Sequence, residues 1–188
     1  MIKFTVGIDP GWKNLGLAIL REDEDGLKIL STQTLNPSEM GGHGKAAWKI
    51  RGLVLDAVRQ QHVDPEDVLI HVAIERYVSY NNVNSAETEN ILMLIGALLC
   101  ALDGISVQVD MYRAIDWKTE LVKLLVKNRG FDNPSTSLDK KFSVAAAHAC
   151  LDIPGEFHND HEADAVCLAS IGLLKLRYPA KRVRKEGA

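Results

Sequence analysis

Long hydrophobic segments are absent from this chain of 188 residues. The longest uncharged apolar run, from Ile91 to Leu102, has twelve residues, fewer than the roughly 18 that a membrane-spanning helix needs. No basic and apolar leader with a small-residue cleavage site precedes the strand-like segment 2–6. We therefore expect no membrane association and no secretion, and a soluble cytoplasmic protein.

Cysteine is also scarce. Cys100, Cys150 and Cys167 lie far apart, inside apolar segments with helical spacing. This pattern is typical of reduced core cysteines and argues against a disulfide framework or a zinc site. Repeats and linkers rich in Pro, Gly or Ser are lacking too, so we expect one domain over residues 1–177 and a basic tail over residues 178–188.

Charge of one sign does not dominate, since the formal net charge is only −3. Its distribution is uneven, however. Residues 175–188 hold six basic side chains against one acid, and residues 113–141 hold seven against four. Such segments are either solvated faces or contacts for a polyanion, and composition leaves both interpretations open.

Hydrophobic periodicity predicts the order of secondary structure. Period-two alternation predicts five strands, at Lys3–Asp9, Leu15–Arg21, Leu27–Thr34, Val68–Glu75 and Ile105–Val109. Helical spacing predicts five helices, at about 46–58, 85–103, 115–127, 138–151 and 160–176. The order predicts an α/β fold: a mixed five-stranded sheet, with three antiparallel N-terminal strands and helices on both faces.

Three acids lie next to apolar segments. Asp9 ends the first strand, Glu75 ends the fourth, and Asp164 lies within an apolar helix. Burying an isolated carboxylate costs several kcal/mol, and a divalent cation that gathers the three would offset that cost. Oxygen ligands favour Mg²⁺ or Mn²⁺ over zinc. For each acid alone, a salt-bridged or helix-capping role explains the position equally well.

Three motifs resemble those of a known family. Gly7–Gly16 (GIDPGWKNLG) is similar to the first motif of the RuvC-type Holliday junction resolvases, Ala73–Arg76 to the second, and His161–Val166 to the last. Their order and spacing also agree, from residue 7 to about residue 174. The resemblance implies an RNase H-like fold and an endonuclease that resolves four-way DNA junctions by paired symmetric nicks.

The resemblance also implies a metal site. Asp9 would bridge two Mg²⁺ ions, with Mn²⁺ as a substitute, Glu75 and Asp164 would each complete one coordination shell, and His161 would be the fourth ligand. The implied partners are four-way junction DNA and a second copy of the chain, with no small-molecule cofactor. Two alternatives remain open: an RNase H-like nuclease for other branched DNA or RNA–DNA hybrids, and a non-catalytic junction-binding protein.

The fourth ligand has a second candidate. Asn159 can cap the last helix with Glu162 in the capping-box position, which makes Asp160 the first helical residue. At ~100° per residue, Asp160 lies roughly 40° to one side of Asp164 and His161 roughly 60° to the other, whereas Glu162 faces away. Hardness favours Asp160 as a ligand of Mg²⁺, and the resemblance favours His161.

The resemblance extends to DNA contacts. The family's phosphate-binding lysines correspond to lysines after residue 113, and its base-stacking aromatic residue corresponds to tyrosines after Glu75. Two further candidates lie in the turn after Asp9. The predicted contacts are Trp12, Lys13, Tyr77, Tyr80, Lys118, Lys140 and Lys141. A solvated lysine or a packed aromatic ring remains the alternative for each.

The chain departs from the bacterial pattern between residues 113 and 141. The usual basic segment is stretched into Asn128–Ser137, and Trp117 replaces a plainer residue. These differences predict a divergent branch, viral or organellar, and a viral protein would act in a compartment of its host. The apolar segment Ser85–Leu102 has two interpretations, a core helix or part of a dimer face.

Overall fold

The computed structural model describes residues 2–77, 85–103, 107–129, 140–151, 157 and 159–177. The strands are β1 (Ile2–Asp9), β2 (Leu15–Asp23), β3 (Gly26–Leu35), β4 (Val68–Arg76) and β5 (Val107–Arg113). The helices are α1 (His43–Arg59), α2 (Ser85–Leu102), α3 (Ala114–Arg129), α4 (Lys140–Leu151) and α5 (Asp160–Arg177). Short 3₁₀ turns occur at Pro37–Glu39 and Pro65–Asp67. The proposed tail lies outside the described residues.

The five strands form one mixed sheet in the order β3-β2-β1-β4-β5. The pairs β1–β2 and β2–β3 are antiparallel, and the pairs β1–β4 and β4–β5 are parallel. Strands β1, β3, β4 and β5 consequently all end at the same edge of the sheet, which we call the carboxyl edge. The predicted α/β architecture, including its antiparallel N-terminal strands, is confirmed.

Strand alternation divides the core into two layers. Phe4, Val6 and Ile8 of β1 pack with residues of α1 and α2 in one buried cluster. The opposite face of the sheet packs against α3, α4 and α5, and there it presents small side chains such as Ala18 and Ala73. Helices therefore cover both faces, as the sequence pattern predicts.

Two glycines allow α5 to lie against the sheet backbone. A Cβ atom at Gly7 would overlap the carbonyl oxygen of Ala165, and one at Gly16 would overlap that of His161. No larger side chain fits at either position without moving the helix. The contact sets the distance between the first turns of α5 and the end of β1.

Strand β5 differs from its prediction. It runs from Val107 to Arg113, whereas the sequence pattern placed it at Ile105–Val109. Asp110 lies inside β5, which pairs with β4 as far as Arg113, and its Oδ2 is 3.0 Å from Nε2 of the buried His71 on β4. Backbone pairing with β4 thus continues the strand beyond the predicted segment.

The expectation of three core cysteines is wrong for Cys100, which is exposed on α2. The segment is apolar on every face, so its hydrophobic pattern does not indicate which side of the helix is exposed. Cys167 is buried, and its Sγ lies 3.5 Å from the carbonyl oxygen of Ser143. The side chain of Cys150 lies outside the described residues.

Helix α2 is buried on one side and exposes apolar side chains elsewhere, and its role in a dimer face stays a prediction. Leu94 and Leu98 are fully buried against the sheet, whereas Leu92, Met93 and Leu99 are 53%, 52% and 37% exposed. We call these three the apolar face of α2. None of the helices in the described part of the chain is long and apolar enough to cross a membrane.

The contact at Gly7 yields a stability prediction. Gly7→Ala should lower the free energy of unfolding by about 3 kcal/mol, because the added methyl group meets backbone that cannot turn aside. Gly52→Ala on α1 is the matched control, since nothing lies within 4 Å of its Cβ position, and it should stabilise the protein by up to about 1 kcal/mol. Urea unfolding measures both, and equal effects would contradict this packing.

Candidate active site

Two predicted ligands end adjacent parallel strands. Ile8 of β1 lies opposite Ile74 of β4, so the next residues, Asp9 and Glu75, are neighbours at the carboxyl edge. Both isoleucines face α1 and α2. Since side chains alternate, both carboxylates lie on the face that α5 covers.

A capping network fixes the start of α5. The Oδ1 atom of Asn159 accepts a hydrogen bond from the backbone N–H of Glu162 at 3.1 Å, which confirms the predicted cap. Thr34 of β3 lies 2.6 Å from Nδ2 of Asn159, and its hydroxyl donates to Oε1 of Glu162 at 3.2 Å. Glu162 is nearly buried and faces β3, so the opposite side of the first turn is directed to the site.

His161 contacts Asp9 directly. Its Nδ1 lies 2.7 Å from Oδ2 of Asp9, and this hydrogen bond raises the pKa of His161 above its usual value. Asp160 contributes a smaller electrostatic effect in the same direction. Of the two candidates for a fourth ligand, His161 contacts Asp9, and the choice between His161 and Asp160 stays a prediction.

Trp117 of α3 forms a hydrogen bond with Glu75. The ring is completely buried, and its Nε1–H donates a hydrogen bond to Oε2 of Glu75 at 2.8 Å. Burial, and then the negative charge of Asp9, raise the pKa of Glu75 to about 7, although the tryptophan hydrogen bond opposes the increase. The sequence marked Trp117 only as a departure from the family pattern and gave no sign of this contact.

Lys118 pairs with the remaining acid. Its Nζ lies 3.6 Å from Oδ1 of Asp164 and 5.0 Å from the centre of the Trp117 ring. Burial raises the pKa of Asp164, and Lys118 opposes that increase. The lysine was predicted to bind phosphate, and the structure places it within the acidic cluster. Consecutive residues of α3 thus contact two of the carboxylates.

An open cleft contains much of the site. Asp9, Glu75 and His161 line it, together with residues of the turn between β1 and β2. Trp12, Lys13 and Tyr77, three of the predicted DNA contacts, also line it. The cleft therefore brings candidate catalytic residues and candidate DNA contacts to one surface.

The aromatic residues of the cleft are held by neighbours. The Trp12 ring stacks on His43 of α1, with centroids 4.4 Å apart and an angle of 27°. The hydroxyl of Tyr77 lies 3.4 Å from Oγ1 of Thr88 on α2. Both rings are partly buried, so each packs against the protein and also reaches the cleft. The stacking of Tyr77 on a base and the contact of Trp12 with DNA stay predictions.

The other predicted DNA contacts are less defined. Lys13 and Lys141 are exposed, the first beside the cleft and the second in the first turn of α4. The side chain of Lys140 and the whole of Tyr80 lie outside the described residues.

The donor set fits a divalent cation. Oδ1 of Asp164 is buried and lacks a hydrogen bond, with the ammonium of Lys118 3.6 Å away, so a divalent cation would add a closer positive partner. Three carboxylates and one imidazole are the hard oxygen and borderline nitrogen ligands that Mg²⁺ and Mn²⁺ accept. Among the residues that the structure describes, no three acid, histidine or cysteine side chains already form a metal-binding group. Cation binding would require the carboxylates to draw closer together.

Comparison with known proteins identifies the fold. No protein-family model matches the chain, and no curated protein matches its sequence. Among solved structures, RuvC of Thermus thermophilus in complex with a Holliday junction substrate is similar, with a TM-score of 0.64, 19% identity and coverage of 94% of this chain and 96% of that one. A second structure of Thermus thermophilus RuvC has a TM-score of 0.62 and 21% identity over the same shares of the two chains.

A eukaryotic structure is similar as well. The yeast mitochondrial Holliday junction resolvase Ydc2 gives a TM-score of 0.51 at 15% identity, covering 88% of this chain and 75% of that one. The protein therefore has the RNase H-like fold of the RuvC-type resolvases, which confirms the expected architecture.

The buried carboxylates predict that, in the absence of divalent cations, the protein becomes less stable as the pH rises. The pKa of Glu75 is about 7 in the folded protein, above its ordinary value of 4.5. The folded state therefore binds the Glu75 proton more tightly than the unfolded state does. The resulting contribution to the free energy of unfolding is complete below pH 4.5 and is lost as the pH rises through 7. The free energy of unfolding should fall by about 3 kcal/mol over this pH range. The raised pKa of His161 acts with the same sign, because its pairing with Asp9 is lost as the pH rises through that value.

Glu75→Gln should flatten this dependence and make the protein more stable than the wild type at pH 8. Urea unfolding in EDTA between pH 5 and pH 8 measures the effect. Glu66→Gln, at an exposed acid, is the control and should keep the wild-type dependence. Identical curves for Glu75→Gln and the wild type would show that Glu75 is not a strained carboxylate.

Proposed function

We propose that the chain is a structure-specific endonuclease that resolves four-way DNA junctions by paired symmetric nicks. The observation that carries this proposal is the convergence of Asp9, Glu75, His161 and Asp164 at the carboxyl edge of a RuvC-like fold. Thermus thermophilus RuvC, which shares the fold, is described in complex with a Holliday junction substrate.

In this proposal the same four residues hold two Mg²⁺ ions, for which Mn²⁺ can substitute. Bound divalent ions polarise the scissile phosphate and lower the pKa of a water molecule that attacks it. The raised pKa values of Glu75 and Asp164 support cation binding, because both carboxylates lack sufficient positive charge in the protein alone.

His161 and Lys118 have separate roles in the proposed reaction. Asp9 occupies Nδ1 of His161, which orients the ring and leaves Nε2 at the cleft, either to ligate a cation or to hold or move a proton. Lys118 balances the charge of Asp164 and, together with Trp117, keeps the acidic cluster attached to α3. These residues thus position the cluster before DNA binds.

We propose that the functional unit is a homodimer. Paired nicks require two active sites, and a two-fold axis supplies them for the two equivalent strands of a junction. The apolar face of α2 supports this assembly, since Leu92, Met93 and Leu99 expose hydrophobic surface on a helix with no charge between residues 90 and 102. Analytical ultracentrifugation tests it, and a monomer at micromolar concentration would favour a nuclease for another substrate.

Asp9→Asn and Asp164→Asn should each abolish cleavage of a four-way junction in Mg²⁺. Junction affinity should stay similar or increase, because each change removes a negative charge near phosphate. The assay compares four-way, flap and linear duplex DNA with and without Mg²⁺, and Asp103→Asn, at an exposed acid, is the control. Full activity of Asp9→Asn would contradict the nuclease proposal. Preferred cleavage of flaps would indicate a nuclease for other branched DNA in place of a junction resolvase.

His161→Ala should reduce the cleavage rate by orders of magnitude, whereas Asp160→Ala should have a mild effect. The wild-type rate should fall as the pH drops through the raised pKa of His161, because imidazolium can neither ligate a cation nor accept a proton. Single-turnover kinetics between pH 5.5 and pH 8.5 measure both effects. The opposite ranking of the two variants would assign the fourth position to Asp160.

A further inference from the structure

Helix α1 exposes a large aromatic side chain that the proposed site does not use. Trp48 is 60% exposed, the largest fraction among the exposed large hydrophobic residues that the structure describes. The guanidinium carbon of Arg51 lies 4.8 Å from the centre of its ring, so the two side chains stack. This contact holds the indole in place on the surface and leaves it accessible.

The same helix concentrates positive charge. Four basic residues, Lys45, Lys49, Arg51 and Arg59, stand against one acid, Asp56, in a chain whose formal net charge is −3. Asp56 pairs with Arg59, 3.4 Å away. Within the described part of the chain, no salt bridge engages Lys45 or Lys49, and both are exposed.

Helical geometry places these groups on one side. At ~100° per residue, Lys45 and Arg51 lie roughly 60° to either side of Trp48, and Arg59 lies roughly 20° from it three turns further on. The buried residues of the helix, including Ala47 and Ile50, occupy the other side. We call Lys45, Trp48, Lys49, Arg51 and Arg59 the basic face of α1.

Helix α1 begins beside the candidate active site. His43, the first residue of α1, stacks on Trp12, which lines the cleft. From there the helix extends over 17 residues, or about 25 Å, from the carboxyl edge toward the far edge of the sheet. His43 lies roughly 140° around the helix from Trp48, so DNA that leaves the cleft reaches the basic face by passing around the first turn of α1.

The chemistry of this face fits nucleic acid better than a second copy of the chain. Cations suit the phosphates of a DNA strand, and an exposed indole can stack on a base or a sugar. In a two-fold contact the face would meet itself, which would oppose cation to cation. The apolar face of α2 carries no such charge and suits self-association.

We propose that the basic face of α1 binds a DNA arm of the junction outside the cleft, with Lys45 and Lys49 on phosphates and Trp48 against a base. The inference rests on the proposed function, because it takes junction DNA as the ligand. It adds a contact surface outside the acidic cluster and outside the predicted DNA-binding residues.

The test measures binding of the full chain to a fluorescein-labelled four-way junction in EDTA, by anisotropy, over a series of salt concentrations. Trp48→Ala should weaken binding about 10-fold, and Trp48→Phe, which retains a stacking ring, should recover most of the loss. Lys45→Gln with Lys49→Gln should reduce the slope of log K against log salt by about one to two units. Lys28→Gln, near the hairpin at the far edge of the sheet, is the matched control and should keep the wild-type slope.

Wild-type affinity and slope for both Trp48→Ala and the double lysine variant would overturn the inference and leave the nuclease proposal intact. A change in oligomeric state of Trp48→Ala, with no change in its DNA affinity, would also overturn it and assign the face to self-association. Failure of the wild-type chain to bind any junction would instead reject the proposed function, so the two failures are distinguishable.

Discussion

The close contact between α5 and the sheet determines the geometry of the candidate site. Gly7 and Gly16 have no side chains, so the backbone of α5 rests directly on β1 and β2. Thr34 and Asn159 set the rotation of the helix through the cap. Together these contacts deliver His161 to Asp9. A residue with a Cβ atom at either glycine would separate the two halves of the site, even if every acidic residue were retained.

This contact has an electrostatic cost. Asp9, Glu75 and Asp164 are brought near one another in a partly buried environment, and the pKa values of Glu75 and Asp164 rise as a result. Trp117 and Lys118 reduce the cost by donating a hydrogen bond and a positive charge. They do not remove it, since both pKa values remain raised. Such residual strain is typical of functional sites, where stability is lower than the fold would otherwise permit.

Most of the fold could be predicted because its causes are local. Alternation defined the strands, and the cap at Asn159 fixed the start of α5 to the residue. The sequence also located Asp9 and Glu75 at strand ends, and the parallel register of β1 and β4 explains why they meet. Prediction was incomplete where the cause is a distant contact. The end of β5 depends on its pairing with β4, the pairing of Lys118 depends on where α3 packs, and the exposure of Cys100 depends on which side of an apolar helix meets the sheet.

The central claim is that the acidic cluster at the carboxyl edge is a divalent-cation site. Titration of the DNA-free protein with Mn²⁺, followed by electron paramagnetic resonance, tests it without relying on any activity. The account predicts saturable binding of two ions per chain at pH 8, weakened by protonation near pH 6, and lost in Asp9→Asn. Absence of saturable binding at millimolar Mn²⁺, or equal binding by the wild type and Asp9→Asn, would contradict it.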